Sequence, residues 1–145
     1  MAGMEKSVDI NRPVEEVFAY ATDIKNWPKW HETIVEAEQT STGDLGVGTT
    51  FRGKGSMEGR TAEFTGEMTE YDPYKRSRKV MDFGNFTIDD ELIFDPIDGG
   101  TKFTLGYDVK VRGFAKLLSS RINNAMRKEL EQAVSNLKIF LETQS

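Results

Sequence analysis

The chain contains no cysteine. That excludes disulfides, thiolate metal sites and a cysteine nucleophile together. Its single histidine, His31, excludes a histidine-rich metal centre and makes any Ser-His-Asp triad depend on one ring. No apolar run approaches the roughly 18 residues of a membrane span, and residues 1–10 are too polar for a secretion signal. Positive charge is also short: 19 basic against 24 acidic residues give a net charge of −5 and a pI near 5.0. This balance argues against a general nucleic-acid binder. With 145 residues, the chain has the length of one ordinary domain, taken as 1–145, and can bury a core without staples. The expectation is a soluble, cytoplasmic protein without metal or cofactor, a monomer or weak homodimer.

What is present is patterned. Met4, Lys6, Val8 and Ile10 share one face opposite charged or small residues, which apart from Lys6 is the pattern of a half-buried strand. Pro13 suits a first helical turn, and Glu15 and Glu16 suit the positive end of the helix dipole. Val14, Val17, Phe18 and Ala21 then recur at helical spacing. A second short helix is expected over 23–26, capped by Asp23 and broken by Trp27-Pro28. From Thr33 to Val111, β-rich stretches alternate with Gly, Asn, Asp and Pro clusters, which predicts about six antiparallel strands. The segment from Gly43 to Gly48 lacks the Gly-Lys-Ser/Thr ending of a phosphate loop and reads as a hairpin connection. After Gly113, apolar residues from Phe114, Leu117 and Leu118 to Phe140 and Leu141 keep a 3–4 spacing without Pro or Gly. This predicts a helix of about 28 residues whose long apolar face needs a cover, such as a curved sheet gripping it. The order of elements is that of an α+β protein.

Several local signatures occur in the same order. They are Asn11-Arg12-Pro13-Val14-Glu15-Glu16-Val17-Phe18, Asp23-Ile24-Lys25-Asn26-Trp27-Pro28-Lys29-Trp30 and Gly46-Val47-Gly48-Thr49. Tyr71-Asp72-Pro73, Gly99-Gly100-Thr101 and Leu137-Lys138-Ile139-Phe140-Leu141-Glu142 complete the set. With this order the chain resembles the SRPBCC, or START-like, superfamily of helix-grip proteins, closest to its polyketide cyclase/dehydrase and lipid-transport family. The resemblance implies a seven-stranded curved antiparallel sheet wrapped around the C-terminal helix, with two short helices after the first strand and a cavity between sheet and helix. It further implies binding or transport of a small hydrophobic molecule such as a lipid, sterol or polyketide. The alternatives are a cyclase or dehydrase using the same cavity, or a protein-interaction module such as a co-chaperone activator. Fold alone does not choose among them.

Residues expected around the cavity are Trp30 from the loop, Phe51, Phe64, Met68 and Phe83 from the earlier strands, and Ile88, Phe103 and Leu105 from the last two. Leu118, Arg121, Ile122 and Ala125 would face it from the helix, with Asn124 as a further neighbour. Gly53, Gly55, Ala62, Gly66 and Ala125 could leave space there. The opposite arrangement, in which Phe51, Phe64, Phe103 and Leu105 fill the interior, also fits. Three residues could move protons. Asp90 interrupts the apolar face Phe86, Ile88, Leu92, Phe94, and would point inward unless a bulge in Asp89-Asp90-Glu91 turns it out. Tyr107 shares a face with Phe103 and Leu105, so its hydroxyl needs a partner. His31 is either a general base or a rim histidine capping the short helix. Trp27 and Trp30 either gate the entrance or seal the core. Lys75-Arg76-Ser77-Arg78-Lys79, the one basic cluster singled out, reads as a solvated sheet edge, with weak membrane docking as the alternative.

Overall fold

The computed structural model describes residues 3–57 and 59–143. Strand β1 (Met4–Ile10) leads into α1 (Val14–Thr22), which starts directly after Pro13 with Glu15 and Glu16 in its first turn. The Asp23 carboxylate accepts a hydrogen bond from the Lys25 amide at 3.1 Å and opens a 3₁₀ turn over Ile24–Asn26. Trp27-Pro28 does not end this region as expected. Pro28 sits in the first turn of α2 (Trp27–Trp30), where its missing N–H has no intrahelical partner to lose.

Six strands follow: β2 (Ile34–Gln39), β3 (Thr50–Met57), β4 (Arg60–Asp72), β5 (Arg76–Asp82), β6 (Phe86–Ile97) and β7 (Gly100–Val111). They form one antiparallel sheet with β1 in the order β1-β7-β6-β5-β4-β3-β2. This is the helix-grip arrangement. The central strand is β5, not an edge, which corrects the reading of Lys75–Lys79. Alternation buries Ser77, Lys79 and Met81, leaves Arg78 half-buried, and turns Arg76 to solvent.

The C-terminal rod begins later than its spacing predicts. A 3₁₀ segment, Gly113–Leu118, precedes α3 (Ser119–Glu142), a helix of 24 residues. Residues three apart eclipse one another in a 3₁₀ helix. Phe114 and Leu117 therefore share one side, and that side faces solvent at 94% and 87% exposure. From Ile122 onward the apolar stripe is covered: Met126, Leu130, Ala133, Val134, Leu137 and Leu141 are buried, with the helix lying mainly on β1 and β7.

Two hydrophobic clusters make the interior. One joins α1, α3, Trp30 and the inner faces of β6 and β7; the other joins Ile24, Trp27, Ile34, Phe51, Phe64, Met68 and Met81. The second depends on paired glycines. Phe51 lies opposite Gly66, and Gly53 opposite Phe64, so each ring covers the bare backbone across from it. A Cβ on Gly53 would stand 2.5 Å from the Phe64 ring, and one on Gly66 2.4 Å from Phe51. These two glycines are therefore filled by aromatics and leave no space, contrary to expectation. One step along, Gly55 faces Ala62 with no large side chain in the pair. Here the pair supplies no ring of its own; only the edge of the Phe83 ring reaches Gly55, 3.1 Å from where a Cβ would stand, and the filling ends.

Candidate functional site

A cavity of about 550 Å³ opens where the glycine–aromatic filling ends, between the two hydrophobic clusters and the first turns of α3. Gly55, Met57 and Ala62 border it from β3 and β4; Met81, Phe83, Phe86 and Ile88 from the middle of the sheet; Leu118, Arg121, Ile122 and Met126 from the C-terminal rod. The volume falls in the range of small-molecule sites, about 300–1,000 Å³. Arg60, Asn85, Leu118 and Arg121 are exposed and mark the mouth, whereas His31, Asp90, Tyr107 and Glu129 are each at most 4% exposed and mark the inner end.

The inner end carries a connected polar group. His31 Nδ1 lies 2.8 Å from Glu129 Oε1, and the Tyr107 hydroxyl donates to Glu129 Oε2. The same hydroxyl lies 3.5 Å from His31 Nδ1. Ionised Glu129 can only accept, so Nδ1 carries the proton of that bond and Nε2 remains as the ring atom open to a bound molecule. That Nε2 is buried and has no protein partner. Opposite Tyr107 in the β6–β7 pairing, Asp90 Oδ2 accepts from Lys79 Nζ at 2.9 Å, while Asp90 Oδ1 is buried without a partner. Lys79 Nζ also lies 4.5 Å from the centre of the Trp27 ring, so the cation has a second favourable neighbour.

The electrostatics follow from burial. Burial pushes the Glu129 carboxyl up, but attraction to His31 and hydrogen bonds from His31, Tyr107 and Thr33 outweigh it and leave the carboxyl below its ordinary value. Tyr107 goes the other way. Burial first, then the negative charges of Glu129 and Asp90 and the bond to Glu129, hold its hydroxyl well above the usual tyrosine value. The hydroxyl stays a donor and the carboxylate an acceptor.

Of the residues expected around the cavity, Phe83, Ile88, Asp90, Tyr107, Leu118, Arg121 and Ile122 line it. Trp30, Phe51, Phe64, Met68, Phe103, Leu105 and Ala125 do not. Phe51 and Phe64 cover glycines, Met68 completes their cluster, and Trp30, Phe103 and Leu105, at 0% exposure, pack solidly under α1 and α3. Ala125 lies one position off the lining stripe Leu118, Ile122, Met126, Glu129. Both tryptophans are sealed in the core and neither gates the mouth. Asp90 points inward because β6 pairs with β5 and β7 without a register shift there. His31 is a buried residue and not a rim one.

Two charged residues of the inner end escaped the sequence reading. Glu129 comes from α3, 98 positions from His31. Its signal was present: a carboxylate three residues after Met126 and four before Ala133 interrupts a stripe that is otherwise apolar. Lys79 was hidden inside a run of basic residues, although alternation from Met81 places it indoors. Among the described residues no cluster of His, Asp and Glu could hold a metal ion, and no helix is long and apolar enough to cross a membrane.

The profile of the family described as polyketide cyclase / dehydrase and lipid transport matches residues 1–142. No curated protein sequence matches the chain. Among solved structures, TTHA0849 from Thermus thermophilus is 21% identical, with a TM-score of 0.76 over 97% of this chain and 99% of that one. The Zhui aromatase/cyclase from Streptomyces sp. R1128 is 12% identical, with a TM-score of 0.82 over 96% of this chain and 92% of its own. The di-domain ARO/CYC BexL from the BE-7585A biosynthetic pathway is 18% identical and has a TM-score of 0.76, over 96% of this chain and 46% of that one. At these identities the likeness is one of fold.

Proposed function

Because the chain belongs to the polyketide cyclase/dehydrase and lipid transport family, we propose that its cavity encloses a small, mostly apolar molecule that carries at least one polar oxygen. The observation behind this is the division of the lining. Ile34, Met81, Phe86, Ile88, Ile122 and Met126 offer an apolar wall, and the inner end offers His31 Nε2 and Asp90 Oδ1, two buried polar atoms without protein partners. Each buried methylene of the ligand contributes about 0.8 kcal/mol. A buried polar atom left unpaired costs about 1–3 kcal/mol, so an oxygen that reaches one adds both affinity and orientation.

Native mass spectrometry of the purified protein tests this first, by looking for a retained small molecule. Thermal-shift titration then compares naphthol with naphthalene. The expected result is stabilisation by both, larger for naphthol, with the preference lost in His31→Ala. No retained molecule together with no shift from either compound would overturn the reading.

One arrangement favours a second reading, proton-transfer catalysis of the dehydrase kind. Glu129 holds the Nδ1 side of His31 and leaves Nε2 to exchange a proton with a bound molecule. With a β-hydroxy ketone, Nε2 would take the proton on the carbon beside the carbonyl. The β-hydroxyl would then leave as water, its proton returned by the imidazolium, and a conjugated enone would remain. Enone absorbance reports this directly. Turnover by the wild type that disappears in His31→Ala supports catalysis, whereas binding without turnover leaves a carrier.

A further inference from the structure

Large apolar side chains at the surface are scattered, with one exception. Val35, Val47, Tyr74, Ile97 and Ile139 each stand alone in sequence, but Phe114, Leu117 and Leu118 are exposed together at 94%, 87% and 48%. They sit on the 3₁₀ segment that enters α3, and Leu118, with Arg121 and Ile122 just beyond it, lines the cavity. The apolar knob therefore stands beside the mouth.

Charge sets the same place apart. Residues 109–128 hold Lys110, Arg112, Lys116, Arg121, Arg127 and Lys128 and no acidic residue, while the other 13 basic residues share the remaining chain with all 24 acidic ones. Lys110, Lys116, Arg127 and Lys128 are exposed. Arg112, also exposed, reaches Asp82 at 3.3 Å and the Gly84 carbonyl at 3.2 Å. An acidic protein thus carries one stretch without acidic residues, a basic collar in sequence that holds its most exposed aromatic residue.

We propose that this segment docks the protein on an anionic lipid bilayer, with Phe114 and Leu117 inserted at the headgroup boundary and Lys110 and Lys116 against the lipid phosphates, so that the cavity mouth faces the membrane. The charge favours a bilayer over a protein partner. A stable protein interface needs about 800 Å² per side with a core depleted in lysine. Two or three protruding apolar side chains within a lysine collar fall short of that, but they suit a membrane surface, where insertion and electrostatic attraction add. The proposal goes beyond the binding of a molecule in the cavity and does not depend on it.

Co-sedimentation with vesicles of phosphatidylcholine containing about one-third phosphatidylserine tests it. The wild type should bind these vesicles, release them at high salt, and bind pure phosphatidylcholine at least tenfold more weakly. Lys116→Glu should weaken binding at least fivefold, since each basic side chain near such a surface contributes about that factor. Phe114→Ser with Leu117→Ser should abolish it, while Lys75→Glu, an exposed change outside the collar, should leave most of it. Both serine positions are solvent-exposed, so an unchanged thermal midpoint will show that the fold is intact. Phe114→Trp adds a direct readout: Trp27 and Trp30 are buried and give a constant background, and the new indole's emission should shift to the blue on vesicles. Absence of vesicle binding, equal binding to both lipid compositions, or full binding by the double serine variant would overturn the proposal. So would concentration-dependent dimerisation lost in that variant without vesicle binding, which would assign the knob to a second copy of the chain.

Discussion

Replacing Lys79 by methionine keeps most of the side chain's volume and its packing near Trp27 but removes the charge. Asp90, at 2% exposure, then loses its single protein partner, and its other oxygen has none to begin with. Breaking one side of a buried pair costs about 3–5 kcal/mol. Chains of this length lose about 0.3 kcal/mol per degree near the midpoint, so Lys79→Met should melt about 10–16 °C below the wild type at pH 7. Adding Asp90→Leu to Lys79→Met should restore most of the loss, because a pair replaced by apolar residues no longer strands a charge. Calorimetry and urea titration of the wild type, Lys79→Met, Asp90→Leu and the double variant at pH 7 measure this cycle. A loss below about 1 kcal/mol at pH 7, or a double variant no more stable than Lys79→Met, would refute the reasoning.

Three further outcomes follow from the same geometry. A Cβ at Gly53 would lie 2.2 Å from the Glu36 carbonyl oxygen as well as against Phe64, so Gly53→Ala should cost at least about 1–3 kcal/mol in urea unfolding; Gly46→Ala, with nothing within 4 Å, should change stability by less than about 0.5 kcal/mol. Ultraviolet titration should find two tyrosines that ionise well above pH 10, Tyr20 at about 12 and Tyr107, and only the first of them in Tyr107→Phe; because the folded value of Tyr107 is raised, the stability tied to it is present below about pH 10 and lost above. Glu129 has the opposite sign: its lowered value means stability present above its ordinary range and lost as pH falls through the folded value. Glu129→Gln should therefore flatten the acid limb of the pH–stability curve and lower the midpoint at neutral pH.

The fold was legible because its signals are local and repeated: period-2 faces in β1, β6 and β7, turn residues between strands, and a 3–4 stripe through α3. Its limits were equally physical. Spacing says which residues share a face but not whether anything covers that face, so Phe114 and Leu117 extended the predicted stripe although they stand in water. Small residues suggested space, yet Gly53 and Gly66 are occupied by rings from the opposite strand, a register fact invisible before pairing is known. Asp90 was legible as a polar break in a strand pattern. Glu129 is the same kind of break in a helix, overlooked because a stripe is recognised by its apolar members and not by its exceptions.

The inner end of the cavity has its own energetic logic. His31, Glu129, Tyr107, Lys79 and Asp90 are all nearly inaccessible and each belongs to a bonded pair or triad. Well-packed apolar residues of similar volume commonly serve stability as well or better than such buried polar groups. The arrangement moreover leaves atoms unmatched at His31 Nε2 and Asp90 Oδ1, which, unlike the equally unmatched polar atoms of Tyr20, Trp27 and Trp30, belong to residues that line the cavity. The surrounding sheet makes this tolerable, since the filled Phe51–Gly66 and Gly53–Phe64 pairs stabilise the half that the cavity does not reach. Stability and site thus occupy different stretches of the same strands: Gly53→Ala should act on unfolding alone, whereas His31→Ala should weaken binding and, by taking a partner from buried Glu129, lower stability as well.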